Sequence, residues 1–319
     1  MKHPSAAQIV VAFAIVYVIW GSTYLAIRFA VESLPVMLYA AVRFLVAGAA
    51  LYAAVAVRGM PRVTFAHWRD AAIVGALLLL VGNGLVSIAE RTVPSGVAAV
   101  IVATVPLDVV LLQWVTTRRP PSGSVFGAIV IGLLGVALLI GPAGFSGTER
   151  IDLLGSGLLV IASLSWAAGS LYSSRASVPS TPILATAMQQ LTGGAMLLLA
   201  GAAMGEFATV DPATFTPRAV GALIYLIVFG SLVAFTAYIW LLRNVPPALV
   251  STYAFVNPMV AVFLGWAIAG ETISARTIVA SAIIVAAVAI ITIAQARNAL
   301  RQRRGREADG TESEATAAK

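Results

Sequence analysis

The stretch ATVPLDVVLLQW (103–114) lies inside a long apolar run and holds two residue types such a run should exclude: Pro106, which lacks a backbone donor, and Asp108, which carries a charge. A carboxylate at the centre of a hydrocarbon-embedded helix costs about 2.5–3.5 kcal/mol on insertion scales. An idle Asp108 facing lipid is therefore a poor reading. Three others fit: contact to a cationic or amine-bearing ligand, an acid that exchanges a proton, or a carboxylate satisfied by hydroxyls such as Thr104, one turn earlier on the same face. Arg43 is the one basic residue deep in an apolar run. It suits either a cavity charge for an anionic group or a side chain that snorkels to the surface. The aromatic residues Tyr17, Trp20 and Tyr24 recur at i, i+3 and i+7, and Ser163, Trp166 and Ser170 form a similar stripe. A tryptophan this far from the interfacial belt fits a cavity wall or bundle packing. Asn83, Ser87 and Glu90 share a third helical face, and Asn257 lies beside Pro258 one turn after Tyr253. Asn83 and Asn257 are candidates for a polar cavity or for hydrogen bonds between helices. Glu90, at the end of its run, is expected to be solvated at a mouth.

These residues need elements to hold them, and composition says which. Of 319 residues, 60% are hydrophobic and 10% charged, with a mean hydropathy of +0.95; soluble domains carry roughly a quarter charged residues. Runs such as 9–27 and 277–294 are long enough to cross about 30 Å of hydrocarbon at ~1.5 Å per residue. With no cysteine there is no disulfide or thiolate chemistry. Only His3 and His67 are present, and Lys2 and Lys319 are the only lysines, which leaves no zinc motif and no Walker A loop. No cofactor, metal or nucleic-acid partner is expected, and the chain does not read as an enzyme. The expected partners are the lipid bilayer and a small molecule, with proton coupling open through Asp108.

Using Gly, Pro and charge as punctuation, the sequence predicts an all-α polytopic membrane protein with ten transmembrane helices. They fall near 8–29, 35–57, 70–89, 94–116, 122–141, 152–174, 181–203, 218–241, 246–267 and 273–295, followed by a disordered tail over 301–319. A shift of 152 lays 91–114 on 243–266 without a gap, pairing Pro94 with Pro246, Pro106 with Pro258 and Trp114 with Trp266. A shift of 146 pairs Trp20 with Trp166 and Gly48 with Gly194. Two repeats follow, 8–145 and 150–298. Five spans each is an odd number, so the second repeat is inverted relative to the first. With the N-terminus inside, fourteen Lys and Arg fall in cytoplasmic segments and five in external ones, which puts both termini in the cytoplasm. The paired Pro106 and Pro258 are expected to act as hinges or to shape a cavity.

The segments YVIWGSTYLAIR, VPSGVAAVIVATVPL and YAFVNPMVAVFLGW, with the GET that follows, resemble the EamA family of the drug/metabolite transporter superfamily, and most closely its YedA-like inner-membrane members. The likeness covers about residues 8–295. It implies a bacterial plasma-membrane (inner-membrane) protein of two inverted five-helix repeats around a central cavity. The implied function is secondary transport, by export or exchange, of small organic metabolites or drugs through alternating access. A channel and a membrane-embedded lipid- or acyl-processing enzyme are the rival readings. Asp108 departs from the family pattern, which is usually apolar at that position. Trp20, Tyr24, Arg43, Asn83, Asp108, Trp166 and Asn257 are the substrate-binding candidates. Reporter fusions after Arg119 and at the C-terminus should read cytoplasmic, and one after Arg150 should read external; an external C-terminus would break the ten-span arrangement.

Overall fold

The computed structural model describes residues 5–140, 152–245, 250, 252–294 and 297. The expected tail (301–319) and the junction between the repeats lie outside them. Eight described helices are long and apolar enough to span a membrane: α1 (Ala6–Ala30), α2 (Val36–Ala56), α3 (Phe65–Ala89), α4 (Ser95–Thr117), α6 (Leu153–Ser173), α7 (Pro182–Ala203), α8 (Pro217–Leu241) and α10 (Ala275–Ala294). Two shorter apolar helices are also described, α5 (Gly123–Ile140) and α9 (Tyr253–Ala269). No strand occurs among the described residues.

Two expected boundaries need correction. The third helix starts at Phe65 rather than near 70, because Thr64 and His67 form a reciprocal cap: Thr64 Oγ1 accepts from His67 N (3.4 Å) and His67 Nδ1 accepts from Thr64 N (3.3 Å). The charged Arg69 and Asp70 are accommodated in the helix because Asp70 is buried against donors from Ser177 N (2.7 Å), Tyr172 OH (3.0 Å) and Arg69 Nε (2.8 Å). The second correction concerns α4, which is interrupted at Ala103–Thr104. Pro106 therefore sits in the first turn of a new helical segment, where a missing N–H costs nothing. Pro258, its sequence partner, lies inside α9.

The helices meet across the two sequence halves. In lipid the attraction between helices comes from packing rather than from water exclusion, so close backbone approach through small residues carries weight. The seam of α2 with α7 is built this way. A Cβ on Gly48 would stand 3.0 Å from Leu191 N and 3.1 Å from Ala187 O, and one on Gly194 would stand 3.0 Å from Leu45 N. These are the glycines that the 146-residue shift pairs. Residues such as Phe44, Met37, Ala41 and Leu197 fill the adjoining core.

Both α3 and α8 also contain an eight-residue π-helical stretch, Ala76–Asn83 and Leu226–Val233. The two are offset by 150 residues, between the shifts of 146 and 152, in the region where the sequence repeat has no clean register.

Gly48→Leu and Gly194→Leu should each destabilise the protein by about 1–3 kcal/mol, as overpacked cores do, seen as a lower Tm in detergent. Gly157→Ala, with open space around it, should leave Tm nearly unchanged.

Candidate functional site

The two π-helical stretches organise the candidate residues. In an i→i+5 pattern each carbonyl accepts from an N–H one residue further on, as Phe229 O does from Ala234 N, and its second lone pair can take a side-chain donor as well. In α8, Trp20 Nε1 of α1 donates to Gly230 O (3.3 Å) and Gln190 Nε2 of α7 donates to Ser231 O (3.4 Å). Arg43 of α2 joins them, with Nε donating to Ser231 Oγ (3.0 Å). Its guanidinium is buried, not snorkelled, and lies 4.7 Å from the Phe44 ring centroid. In α3, Ser165 Oγ of α6 donates to Leu77 O (2.8 Å) and Asn83 Nδ2 donates to Leu78 O (3.1 Å). Trp166 lies against Gly82, where a Cβ would be 3.0 Å from its ring. Each repeat-related tryptophan thus meets a glycine in the π-helical stretch of the other half. Gln190 is visible in the sequence only as a polar residue of an apolar run that needs a partner, and the π-helical stretches and the role of Ser231 have no clearer signal there than glycines at 82 and 230.

Trp20 also heads an aromatic cluster, 5.0 Å from Tyr238 and 5.2 Å from Tyr253 between ring centroids. Asn257 places its amide 3.2 Å from Tyr17 O and 3.3 Å from Tyr253 O, both acceptors, so its NH2 group faces them. Tyr24 packs against the main core. An open apolar groove of about 750 Å³ runs between α1 and α8, lined by residues including Val11, Ile15, Thr236 and Trp240. None of the candidate residues lines it.

Asp108 is buried at the start of the second segment of α4, where the N-terminal end of a helix favours negative charge. Ser163 Oγ of α6 makes a short hydrogen bond to its Oδ2. Thr104 Oγ1 stands 3.4 Å from the same oxygen, but it also donates to Ile101 O at 2.7 Å, and it has one hydrogen to give. Ser163 is therefore the principal side-chain donor. Arg43 is engaged with Ser231 and does not pair with Asp108.

At the end of the bundle that carries the α1–α2, α3–α4, α7–α8 and α9–α10 connections, two carboxylates do work that spacing alone did not reveal. Helices α2 and α4 begin after Pro35 and Pro94, neither of which offers a side-chain cap. Glu206, in the turn after α7, accepts from Met37 N (3.0 Å) and Leu38 N (2.9 Å). Glu271, before α10, accepts from Ser95 N (2.8 Å), Ser95 Oγ (2.7 Å) and Gly96 N (3.1 Å). Two orphan helix N-termini of the first half are thus capped by acids of the second. Glu90 corrects the sequence reading outright: expected in solvent at this end, it is fully buried.

The model of the EamA-like transporter family matches residues 8–141 and again 153–293. The chain belongs to this family. It is 44% identical over 261 residues to the uncharacterized inner membrane transporter YedA of Escherichia coli K12, with 81% of each chain covered. The transporter YoaV of Bacillus subtilis is 23% identical over 259 residues (81% of this chain, 87% of YoaV). Protein PecM of Dickeya dadantii is 28% identical over 252 residues (78% and 80%). A protein of known crystal structure shares the fold with a TM-score of 0.60 at 20% identity, covering 92% of this chain and 99% of that one.

Ser163→Ala should cost about 1.5–3 kcal/mol, the range for a hydrogen bond to a charged group, read as a lower Tm in detergent. Combined with Asp108→Ala, the loss should fall short of the sum of the two single effects, because both remove one interaction.

Proposed function

We propose that this EamA-family protein is a secondary transporter that exports or exchanges small organic solutes across a bacterial inner membrane by alternating access. Residues 8–145 and 150–298 act as two inverted five-helix repeats, with both termini cytoplasmic and the end capped by Glu206 and Glu271 facing outward. The observation that carries this reading is the reciprocal contact of Trp20 with Gly230 and Trp166 with Gly82. One half grips a π-helical stretch of the other, twice, through residues that the sequence repeat relates. Such stretches are frequent at functional sites because a register shift there can be made or lost locally. Rocking one half against the other moves both grips together, which is what alternating access in a repeat transporter requires.

In this reading the substrate passes between α1, α3, α4, α6, α8 and α9. Trp20, Tyr24 and Trp166 supply apolar wall, and Asn83 and Asn257 supply amides. Arg43 and Asp108 supply opposite charges at separate places, so a zwitterionic or amine-bearing organic compound fits better than a simple anion. The interrupted α4 with Pro106, and Pro258 in α9, are the points at which these helices bend.

Comparing metabolites released by cells with and without the protein should identify a small organic compound, which proteoliposomes carrying the pure protein should then exchange against a preloaded pool. Net flux without counterflow would point to a channel instead. With that compound, Pro106→Ala and Pro258→Ala should insert normally but slow exchange severalfold; wild-type rates in both would remove the prolines from the mechanism.

A further inference from the structure

Glu90, just past the end of α3, is 0% exposed, and neither carboxylate oxygen has a hydrogen-bond partner. The Arg28 charge is nearby but makes no ion pair with the carboxylate: Arg28 Nη1 donates to the main-chain carbonyls of Glu90 (2.7 Å) and Val93 (3.3 Å). The titratable and charged groups around Glu90 are Tyr24 and Arg28 of α1, Tyr39 and Arg43 of α2, and Glu271 before α10. Arg43 gives its Nε hydrogen to Ser231. An ionised carboxylate buried without a donor is heavily penalised, and such a group takes up a proton instead. Glu271 adds a like charge. It accepts three donors at the start of α4, a carboxylate's pattern.

We propose that Glu90 is a proton-binding site whose protonation is linked to closure of the outer end of the bundle. The outer assignment rests on the transport reading above; the linkage itself does not. In the closed arrangement seen here Glu90 is the neutral acid. Ionising it would set a second negative charge against Glu271 and loosen the cap that ties the α9–α10 connection to α4. Opening would admit water, which solvates the ionised form. Proton binding therefore favours closure, and closure favours proton binding to the same extent. Burial first, then Glu271, hold the Glu90 carboxyl well above the ordinary carboxylate range, against the pull of Arg28 and Arg43. The sign follows: the closed form keeps its proton to higher pH than an open form does, so low pH closes this end and rising pH opens it. In an exporter, that proton is collected from outside as the outer end shuts, which supplies the exchange partner for outward substrate movement.

The chain has no cysteine, so a single introduced thiol reports alone. Ser87→Cys, on the same face as Glu90 one turn earlier and 1% exposed, would be labelled in right-side-out vesicles with a membrane-impermeant maleimide from pH 5.5 to 8.5. The signal is normalised to an exposed Glu32→Cys reporter at the same end, which removes the pH dependence of the thiol chemistry. Normalised labelling should rise about tenfold per pH unit below the titration point and then level off. In the Glu90→Gln background it should stay at the low-pH value throughout, and Glu90→Asp should restore a rise. Flat labelling with native Glu90, or an equal rise in the Glu90→Gln background, overturns the proposal. The first arm decides the matter even if Glu90→Gln fails to insert. Because no substrate is used, a protein that labels as expected but transports nothing would sink the transport reading and leave the proton site standing. An active transporter with flat labelling would do the reverse.

Discussion

In a hydrocarbon solvent every main-chain donor and acceptor must find its partner inside the protein, and much of this structure follows from that one demand. A regular helix meets it except at its ends and at its interruptions. The informative residues of this chain are the ones that serve those places. Pro35 and Pro94 start helices without capping them, so Glu206 and Glu271 reach in from the other half of the sequence, some 170 residues away. The same demand explains why Trp20, Gln190 and Ser165 point at main-chain carbonyls in the π-helical stretches instead of at one another. The polar contacts between the halves thus cluster at helix ends and π-helical stretches, while packing joins the regular stretches.

That origin gives the bundle a particular mechanical character. A seam such as α2 with α7, where Gly48 and Gly194 bring backbones nearly into contact, has no room for the two helices to slide and allows at most a pivot about their contact. The grips on α3 and α8 differ, because a π-helical stretch already departs from the regular ladder and its carbonyls can exchange one donor for another. Rigidity and adaptability thus lie on different helices, and the interruption of α4 at Thr104 adds a third place where the backbone is not committed to one register.

Most of the helices were legible in the sequence, because hydropathy, length and proline punctuation report directly on a run that must cross lipid. The early start of α3 was not, since Arg69 and Asp70 look like a boundary unless one knows that Ser177 and Tyr172 arrive to satisfy the acid. Of the candidate residues, Trp20, Trp166 and Arg43 stand out in the sequence by type and depth, and each contacts a π-helical stretch of the opposite half. The polar ends were harder. Glu206 and Glu271 look like ordinary loop acids, and what makes them caps is a helix start far away in sequence. Glu90 misleads in the same way. Its position at the end of an apolar run suggests water, whereas Arg28, folded over the carbonyls of Glu90 and Val93, helps seal it in.

The sequence repeat sharpens what is unequal about the two ends. Some ties occur at both: Asp70 at the start of α3 meets Ser177 in the α6–α7 connection, and Thr216 at the start of α8 meets Ser33 in the α1–α2 connection, with Thr216 N donating to Ser33 Oγ at 3.1 Å. These contacts pair a helix start of one half with a connection of the other, in both directions. The carboxylate caps have no such counterpart in the sequence. A shift of 152 puts Arg119 where Glu271 stands, and a guanidinium has five donors and no acceptor with which to cap an N-terminus. Halves built on one plan would give two conformations of similar energy if every contact were repeated. Among the described residues the Glu206 and Glu271 caps and the unpartnered Glu90 behind them lie at one end, while the buried acid of the other, Asp70, has its donors and an arginine beside it, so charge, which the repeat does not copy, sets the two ends apart.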